Sequence, residues 1–410
     1  MNRFKNIKSV LLVTVVCMLL LSGCGEAKNT LPSELTPTST PELTPASTPE
    51  TTPASTPETT PASTPELTPT STPETTPAST PELTPTSTPD ADIPLQVSSQ
   101  DDIKEELYAA INELRQPRSM DISNVTMSEH PEIDIKNLYY ELTRQYPELK
   151  YAYDVSAEKE NEFLNCQISY MPYKTGNYPE GVEYLPVSTL EDLIATAQSN
   201  ISDKSTPIRI TNSSLTPDDM NRALQQAGGG YVLCALNTDG TELTYSPAMG
   251  MTIDECLSLL EEADSIAEQV AAQVLTDDMT TYEKAEALYS YITERVKYDQ
   301  RYYSDLKSMP YDSRTAIGAL RDNLAICGGY SNAVKLLFEK AGILCYNVSG
   351  YHFQENHMWN VALIDGTWLW FDATADRGSS SEFGFRHFAL ENPDEAQYKW
   401  NEEYISPLLK

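Results

Sequence analysis

The chain has 410 residues and a formal charge of −32, from 60 Asp and Glu against 28 Lys and Arg. That length allows two or three domains, and so acidic a chain argues against nucleic acid or anionic lipid as a partner. Its seven cysteines contain no C-x-x-C pair, so their spacing fits no zinc motif.

Arg3, Lys5 and Lys8 precede an apolar run from Val10 to Leu21, which ends in Ser22-Gly23-Cys24. The run is shorter than the ~20 residues of a membrane span, so 1–23 reads as a signal peptide. Leu-Ser-Gly-Cys resembles the bacterial lipobox, which implies that Cys24 becomes the lipid-modified first residue of the mature chain. An ordinary cleaved signal and a short membrane helix are the competing readings. Residues 31–94 then repeat every eight positions (TPELTPAS, TPETTPAS), with proline at every fourth position from Pro37 to Pro89. Proline fixes φ and removes a donor, so 24–94 is expected to be a disordered, extended stalk. At about 3.1 Å per residue it would reach on the order of 200 Å. The expected location is the extracellular face of a bacterial membrane, with the working domain held out in or beyond a cell wall.

Residues 1–28 hold four basic residues and one Glu, and 29–94 hold seven Glu and two Asp with no base, which leaves −26 for 95–410. Solubility outside the cell is the simplest account of that charge. A preference for cationic, lysine-bearing peptides is the alternative.

After the stalk, 102–116 reads as an amphipathic helix with Ile103, Leu107, Ile111 and Leu114 on one stripe. A second helix is expected at 135–146 and a strand at 166–171. From 188 a similar order recurs: a helix, IRITN echoing the earlier MDISN, a helix from Thr216-Pro217-Asp218, and two strands about the Asp239-Gly240 turn. Residues 95–250 therefore read as two copies of a small module, or as one irregular α+β domain. Long helices follow at 252–275 and from Thr280, whose partner Glu283 completes a capping box. A short helix at 313–323, a helix over 329–341 stopped by Gly342, and strands LCYNVSGY, HMWNVALI, TWLWFDAT and FRHFAL complete the chain. Helices first and strands after predict an α+β fold with an antiparallel sheet over 251–410.

Cys327 stands where the 329–341 helix begins, against Gly328 and Gly329. Free N–H groups and the helix dipole favour a thiolate there, and the glycines leave the sulfur open and tolerate unusual backbone angles. A nucleophile needs a base and an orienting group, and the chain has only four histidines. His357 opens one strand of a hairpin that turns at Asp365-Gly366, and Asp372 closes the other. With a two-residue loop, His357 faces Thr374 and Asp372 faces Trp359. His357 and Asp372 then share one sheet face as diagonal neighbours about 7 Å apart. His352, His387 and His130 lack that setting, Asp376 lies past the strand, and Asp365 is needed by the turn. Trp359 and Trp370 share the His357 face as core or cleft wall. The Cys327 N–H is the natural oxyanion donor, with Tyr298 or Asn323 as second.

The set "ICGGYSNAVKLLFEKAGI … NHMWNVALIDGTWLWFDATAD", with TTYEKAEALYSYITERVKYD ahead of it, resembles the transglutaminase-like superfamily over about 278–376. The lipid anchor and the helices before the core are similar to bacterial surface lipoproteins of this group. The resemblance implies a papain-like core with Cys327 as nucleophile, His357 as general base and acid and Asp372 as orienter. It also implies acyl transfer at protein or peptide amides, including cell-wall peptides, by a protease, an amidase or an amine cross-linker. No cofactor or metal is required. A binding or scaffold module on the same fold is the alternative, and a Cys/His/Asp metal site a third reading. Among Cys166, Cys234, Cys256 and Cys345, both disulfides and reduced buried thiols fit the sequence.

Overall fold

The computed structural model describes residues 93–248, 250–394 and 397–410. The expected signal peptide, Cys24 and the proline repeat lie outside them.

Two small sheets come first. In one, β1 (Leu95–Gln96) runs parallel to β2 (Met120–Asp121), which pairs antiparallel with β4 (Phe163–Tyr170), itself paired with β3 (Ala152–Glu160). The other repeats that order with β5 (Leu185–Val187), β6 (Ser205–Ile210), β8 (Glu242–Pro247) and β7 (Val232–Leu236). The pairing senses match strand for strand. Each first helix, Gln100–Asn112 and Leu190–Ser199, opens with a complete capping box, Ser99 with Asp102 and Thr189 with Asp192. Two N-terminal donors are satisfied in each.

The C-terminal half begins with helices Ile253–Val274 and Thr281–Arg295. A short parallel pair follows, β9 (Lys297–Tyr298) beside β10 (Leu324–Ala325), and then the helix Cys327–Lys340. That helix buries Val334, Leu337 and Phe338. An antiparallel sheet follows in the order β13 (Thr367–Phe371), β12 (Glu355–Ile364), β11 (Cys345–His352), β14 (Tyr398–Trp400). The expected α+β arrangement is what is found.

One strand is not where the sequence placed it. FRHFAL forms no strand, and only Leu390 bridges to Trp370. Its phenylalanines pack into an aromatic cluster instead, with Phe385 and Phe388 each 5.0 Å from the Tyr289 ring and Phe388 5.1 Å from Phe371. Ala389 has a left-handed backbone (φ 53°), which interrupts the extended run. The fourth strand is the three-residue β14, too short to show an alternating pattern.

The described residues fall within one unit, Thr88–Lys410. Tyr231 of the second module donates to Asp312 (2.6 Å) and accepts from Thr315 (2.9 Å), and Gln226 exchanges two hydrogen bonds with the Asn347 backbone. Cys166, Cys234, Cys256 and Cys345 are buried free thiols, so the reduced alternative is the one realised, and Cys327 is half-buried. Among the described residues no helix is long and apolar enough to cross a membrane.

Candidate active site

Cys327 is the first residue of its helix. The preceding Ile326 is extended and offers no side-chain cap, so the first-turn N–H groups have no capping side chain around the sulfur. Neither glycine has a positive φ, so the expected unusual backbone angles are not found, and the two serve close packing. A Cβ on Gly329 would lie 2.6 Å from the Ser313 carbonyl oxygen, and one on Gly328 would lie 3.0 Å from that of Arg314. They let the helix start press against the 313–315 backbone, where the Ile326 N–H donates to Ser313 (2.8 Å).

The hairpin has the expected two-residue turn, with Asp365 and Gly366 both left-handed (φ 50° and 85°). Its register pairs Ile364 with Thr367 and Asn360 with Phe371, which places His357 and Asp372 as the sequence arithmetic required. Their side chains meet: His357 Nε2 donates to Asp372 Oδ2 at 2.7 Å. The same imidazole hydrogen-bonds Cys327, which leaves Nδ1 to face the sulfur. Burial opposes the imidazolium charge, but the hydrogen bonds to Asp372 and Cys327 prevail and push His357 up to about 10. Asp372 is buried too, and its contacts with His357 and Tyr398 hold it below the usual carboxylate range despite burial. The structure thus brings Cys327, His357 and Asp372 together.

Two further groups complete the surroundings of Asp372. Its Oδ1 accepts the Ala375 N–H (3.0 Å), and its Oδ2 accepts the Tyr398 hydroxyl (2.8 Å). Tyr398 in turn accepts from His387 Nδ1 (3.0 Å) and stacks on the His352 ring at 4.3 Å. Sequence reasoning set His352 and His387 aside and did not reach Tyr398, which lies 26 residues beyond Asp372 on β14. Nothing local to Tyr398 announces this role.

Tyr298 pairs with Ala325, two residues before Cys327, and burial followed by the Cys327 charge pushes its hydroxyl upward. It is set there by Asp299, whose N–H donates to Ala325 (2.9 Å) and whose carboxylate binds Arg301 and Ser313. The Arg301 fork, working against burial, holds Asp299 at about 2. Asn323 sits in a left-handed turn with its carbonyl given to Lys297. A buried amide chain joins the cysteine helix to the histidine strand: Asn360 donates to the Ser331 carbonyl (3.0 Å) and to Asn347 (2.9 Å), and Asn347 donates to Asn332 (2.9 Å). Trp359 is buried, stacks on His357 at 5.9 Å and so supports the imidazole from behind. Trp370 packs on Trp400 at 4.7 Å. Of the rivals, Asp376 is buried and accepts Tyr289, Arg386 and His387, while His130 is exposed beside Glu132.

His357 opens onto a cleft of about 600 Å³ that includes Tyr298, Tyr303, His352, Glu355 and Arg377. A cavity of about 660 Å³ between the second module and the core helices contains none of the three residues. Among the described residues, His352, His357 and Asp372 are a group whose donor atoms could hold a metal ion. His357 and Asp372 are committed to each other there, so an ion would have to break that bond.

Residues 268–373 match the family model described as the transglutaminase-like superfamily. This segment is a transglutaminase-like core. It contains Cys327, His357 and Asp372, whereas Tyr398 and His387 lie after it. Solved structures similar to the chain include a TGase (13% identity over 53% of this chain and 63% of that one, TM-score 0.25). A candidate cysteine protease from Cytophaga hutchinsonii is another (17%, 33% and 50%, 0.22). The periplasmic domain of TgpA from Pseudomonas aeruginosa is a third (15%, 35% and 60%, 0.22). The chain spans less than two thirds of each. No curated protein matches it.

Proposed function

We propose that this transglutaminase-like core is a cysteine-dependent acyl-transfer enzyme acting on protein or peptide amides. The observation that carries the reading is a single imidazole hydrogen-bonded to both Cys327 and a buried carboxylate. In the first half-reaction the Cys327 thiolate attacks the amide carbonyl and forms the C–S bond. The oxyanion meets N–H groups at the helix start. His357 protonates the departing nitrogen as the C–N bond breaks, and a thioester remains. In the second, His357 takes a proton from water or an amine, which attacks the thioester and returns the thiolate. Asp372 holds the ring in place and balances its charge.

Hydrolysis is the favoured outcome. The cleft is bordered by Gln300, Gln354, Glu355 and Asn356, and the indole of Trp359 lies behind His357, so water has access to the thioester. The working address is the outer face of a bacterial membrane, with Cys24 as lipid anchor and 24–94 as stalk. A catalytically silent binding module on the same fold is the second reading.

Site-by-site mass spectrometry of iodoacetamide labelling of the full chain, from about pH 4 to pH 9, separates the two. Burial pushes the Cys166 and Cys234 thiols up to about 12, so they serve as slow internal references. An enzyme predicts fast labelling of Cys327 well below the ~8.5 of a free thiol, with a profile that His357→Ala alters. Labelling like an ordinary thiol, indifferent to His357, sinks the enzymatic reading.

A further inference from the structure

The cleft beside His357 carries one guanidinium, that of Arg377, although residues 95–410 are strongly acidic. Arg115, Arg118, Arg222, Arg301 and Arg321 each face a carboxylate, and what sets Arg377 apart from the other described arginines without one is its place in this cleft. Among the described residues no carboxylate pairs with Arg377.

Its position is nevertheless held from several sides. Arg377 Nη1 donates to the Thr374 carbonyl at 2.6 Å, and the guanidinium sits 5.5 Å from the centre of the Tyr298 ring. Both neighbours are pinned: the Asp376 N–H donates to the Asp372 carbonyl (3.2 Å), and the Gly378 N–H donates to Thr293 (2.7 Å). The turn that carries Arg377 is the one whose Ala375 N–H binds Asp372 (3.0 Å). Tyr298, beneath the guanidinium, pairs in the β9–β10 ladder with Ala325, two residues before Cys327. An exposed planar fork with unused donors therefore lines the cleft onto which His357 opens. Such a fork matches a carboxylate, with which it forms parallel charge-assisted hydrogen bonds. Glu355, the carboxylate of the same cleft, already accepts the Tyr303 hydroxyl at 2.8 Å.

We propose that the cleft takes an acyl donor carrying a free carboxylate close to the scissile amide, and that Arg377 receives that carboxylate. This rests on Cys327 being the nucleophile. It runs against the alternative of cationic substrates drawn from overall charge, because the guanidinium in this cleft has the opposite sign from that overall charge.

Two alkylating agents of like shape test it on the full chain. Iodoacetate carries a carboxylate and iodoacetamide does not. Their rate ratio at Cys327 is compared with that of free cysteine, for wild type, Arg377→Gln, Arg377→Lys and Arg377→Glu. Attraction by the His357 imidazolium is common to all four, so differences among them isolate position 377. Arg377 is exposed, and thermal melting checks that each variant folds. The expected result is a ratio that falls about threefold to fivefold in Arg377→Gln, as expected for one partly exposed charge pair. It falls further in Arg377→Glu, recovers in part in Arg377→Lys, and weakens with added salt. Rapid iodoacetamide labelling with a ratio indifferent to residue 377 overturns this proposal and leaves the nucleophile standing. A Cys327 inert to both reagents overturns both.

Protection of Cys327 by N-acetyl-diglycine against N-acetyl-glutamate α-amide then assigns the source. Protection by the first marks a chain-terminal carboxylate, and by the second a side-chain one. Protection by neither, with an indifferent ratio, adds to the case against.

Discussion

At the residue scale the site depends on how charge is shared around Asp372. Its carboxylate accepts His357 at 2.7 Å and Tyr398 at 2.8 Å from a position closed to water. Asp372→Asn keeps the shape and removes the charge, so His357 should lose its proton nearer its ordinary 6.5 than at about 10. With iodoacetate, which the imidazolium attracts, the high-pH limb of Cys327 alkylation marks the loss of that proton and should move down accordingly. Tyr398→Phe should move that limb the other way, because a carboxylate relieved of one donor attracts the imidazolium more strongly. A variant that merely lowered stability would leave the limb in place. Cys327, His357 and Asp372 were legible as residues, since helix-start chemistry and strand parity are local signals. Tyr398, His387 and Arg377 were not, because their roles depend on partners that the fold brings to them.

At the element scale, the placement of the cysteine helix against its neighbours decides the geometry. Gly329 allows the close approach, and Gly329→Ala would set a methyl 2.6 Å from the Ser313 carbonyl oxygen and 2.7 Å from the Ala325 methyl. It should lower stability by about 1–3 kcal/mol, read from denaturant unfolding, and slow Cys327 labelling by tilting the helix start. Asn360 links that helix to the histidine strand from a fully buried position. Asn360→Ala should cost a similar 1–3 kcal/mol by leaving the Ser331 carbonyl and Asn347 without their donor. The hairpin was legible because Asp365-Gly366 admits two left-handed residues and so fixes the parity of both strands. β14 was not, because a three-residue strand carries no period. FRHFAL has the composition of a strand, but its rings are held by Tyr289 and Phe371.

For the whole molecule, opposing titrations define a window of stability. His357 is raised in the folded chain, so its contribution is complete below about 6.5 and is lost as pH climbs through about 10. Asp299 is held at about 2 by Arg301 against an ordinary 3.8, and Asp372 is also lowered. Their contributions are present above about 4 and disappear on acidification toward 2. The melting temperature should therefore peak near pH 5 to 6, with Asp299→Asn flattening the acid side and His357→Ala the alkaline side. Tyr231 ties the second module to the core through Asp312 and Thr315. Tyr231→Phe should lower stability by about 1 kcal/mol, and a single unfolding transition should persist if 88–410 unfolds as one body.

The sequence by itself determined what depends on a few neighbouring residues: helix starts and stops, capping boxes, the two-residue turn, and the parity that sets His357 and Asp372 on one face. These follow from backbone sterics and hydrogen-bonding groups within about four positions of each other. Only the tertiary structure decided which hydroxyl reaches Asp372, why Cys327 is followed by two glycines, which strand closes the sheet, and which arginine enters the cleft without a carboxylate partner. Those outcomes turn on contacts between residues far apart in the chain. Such contacts are set by the packing of whole elements, and a local pattern does not carry them.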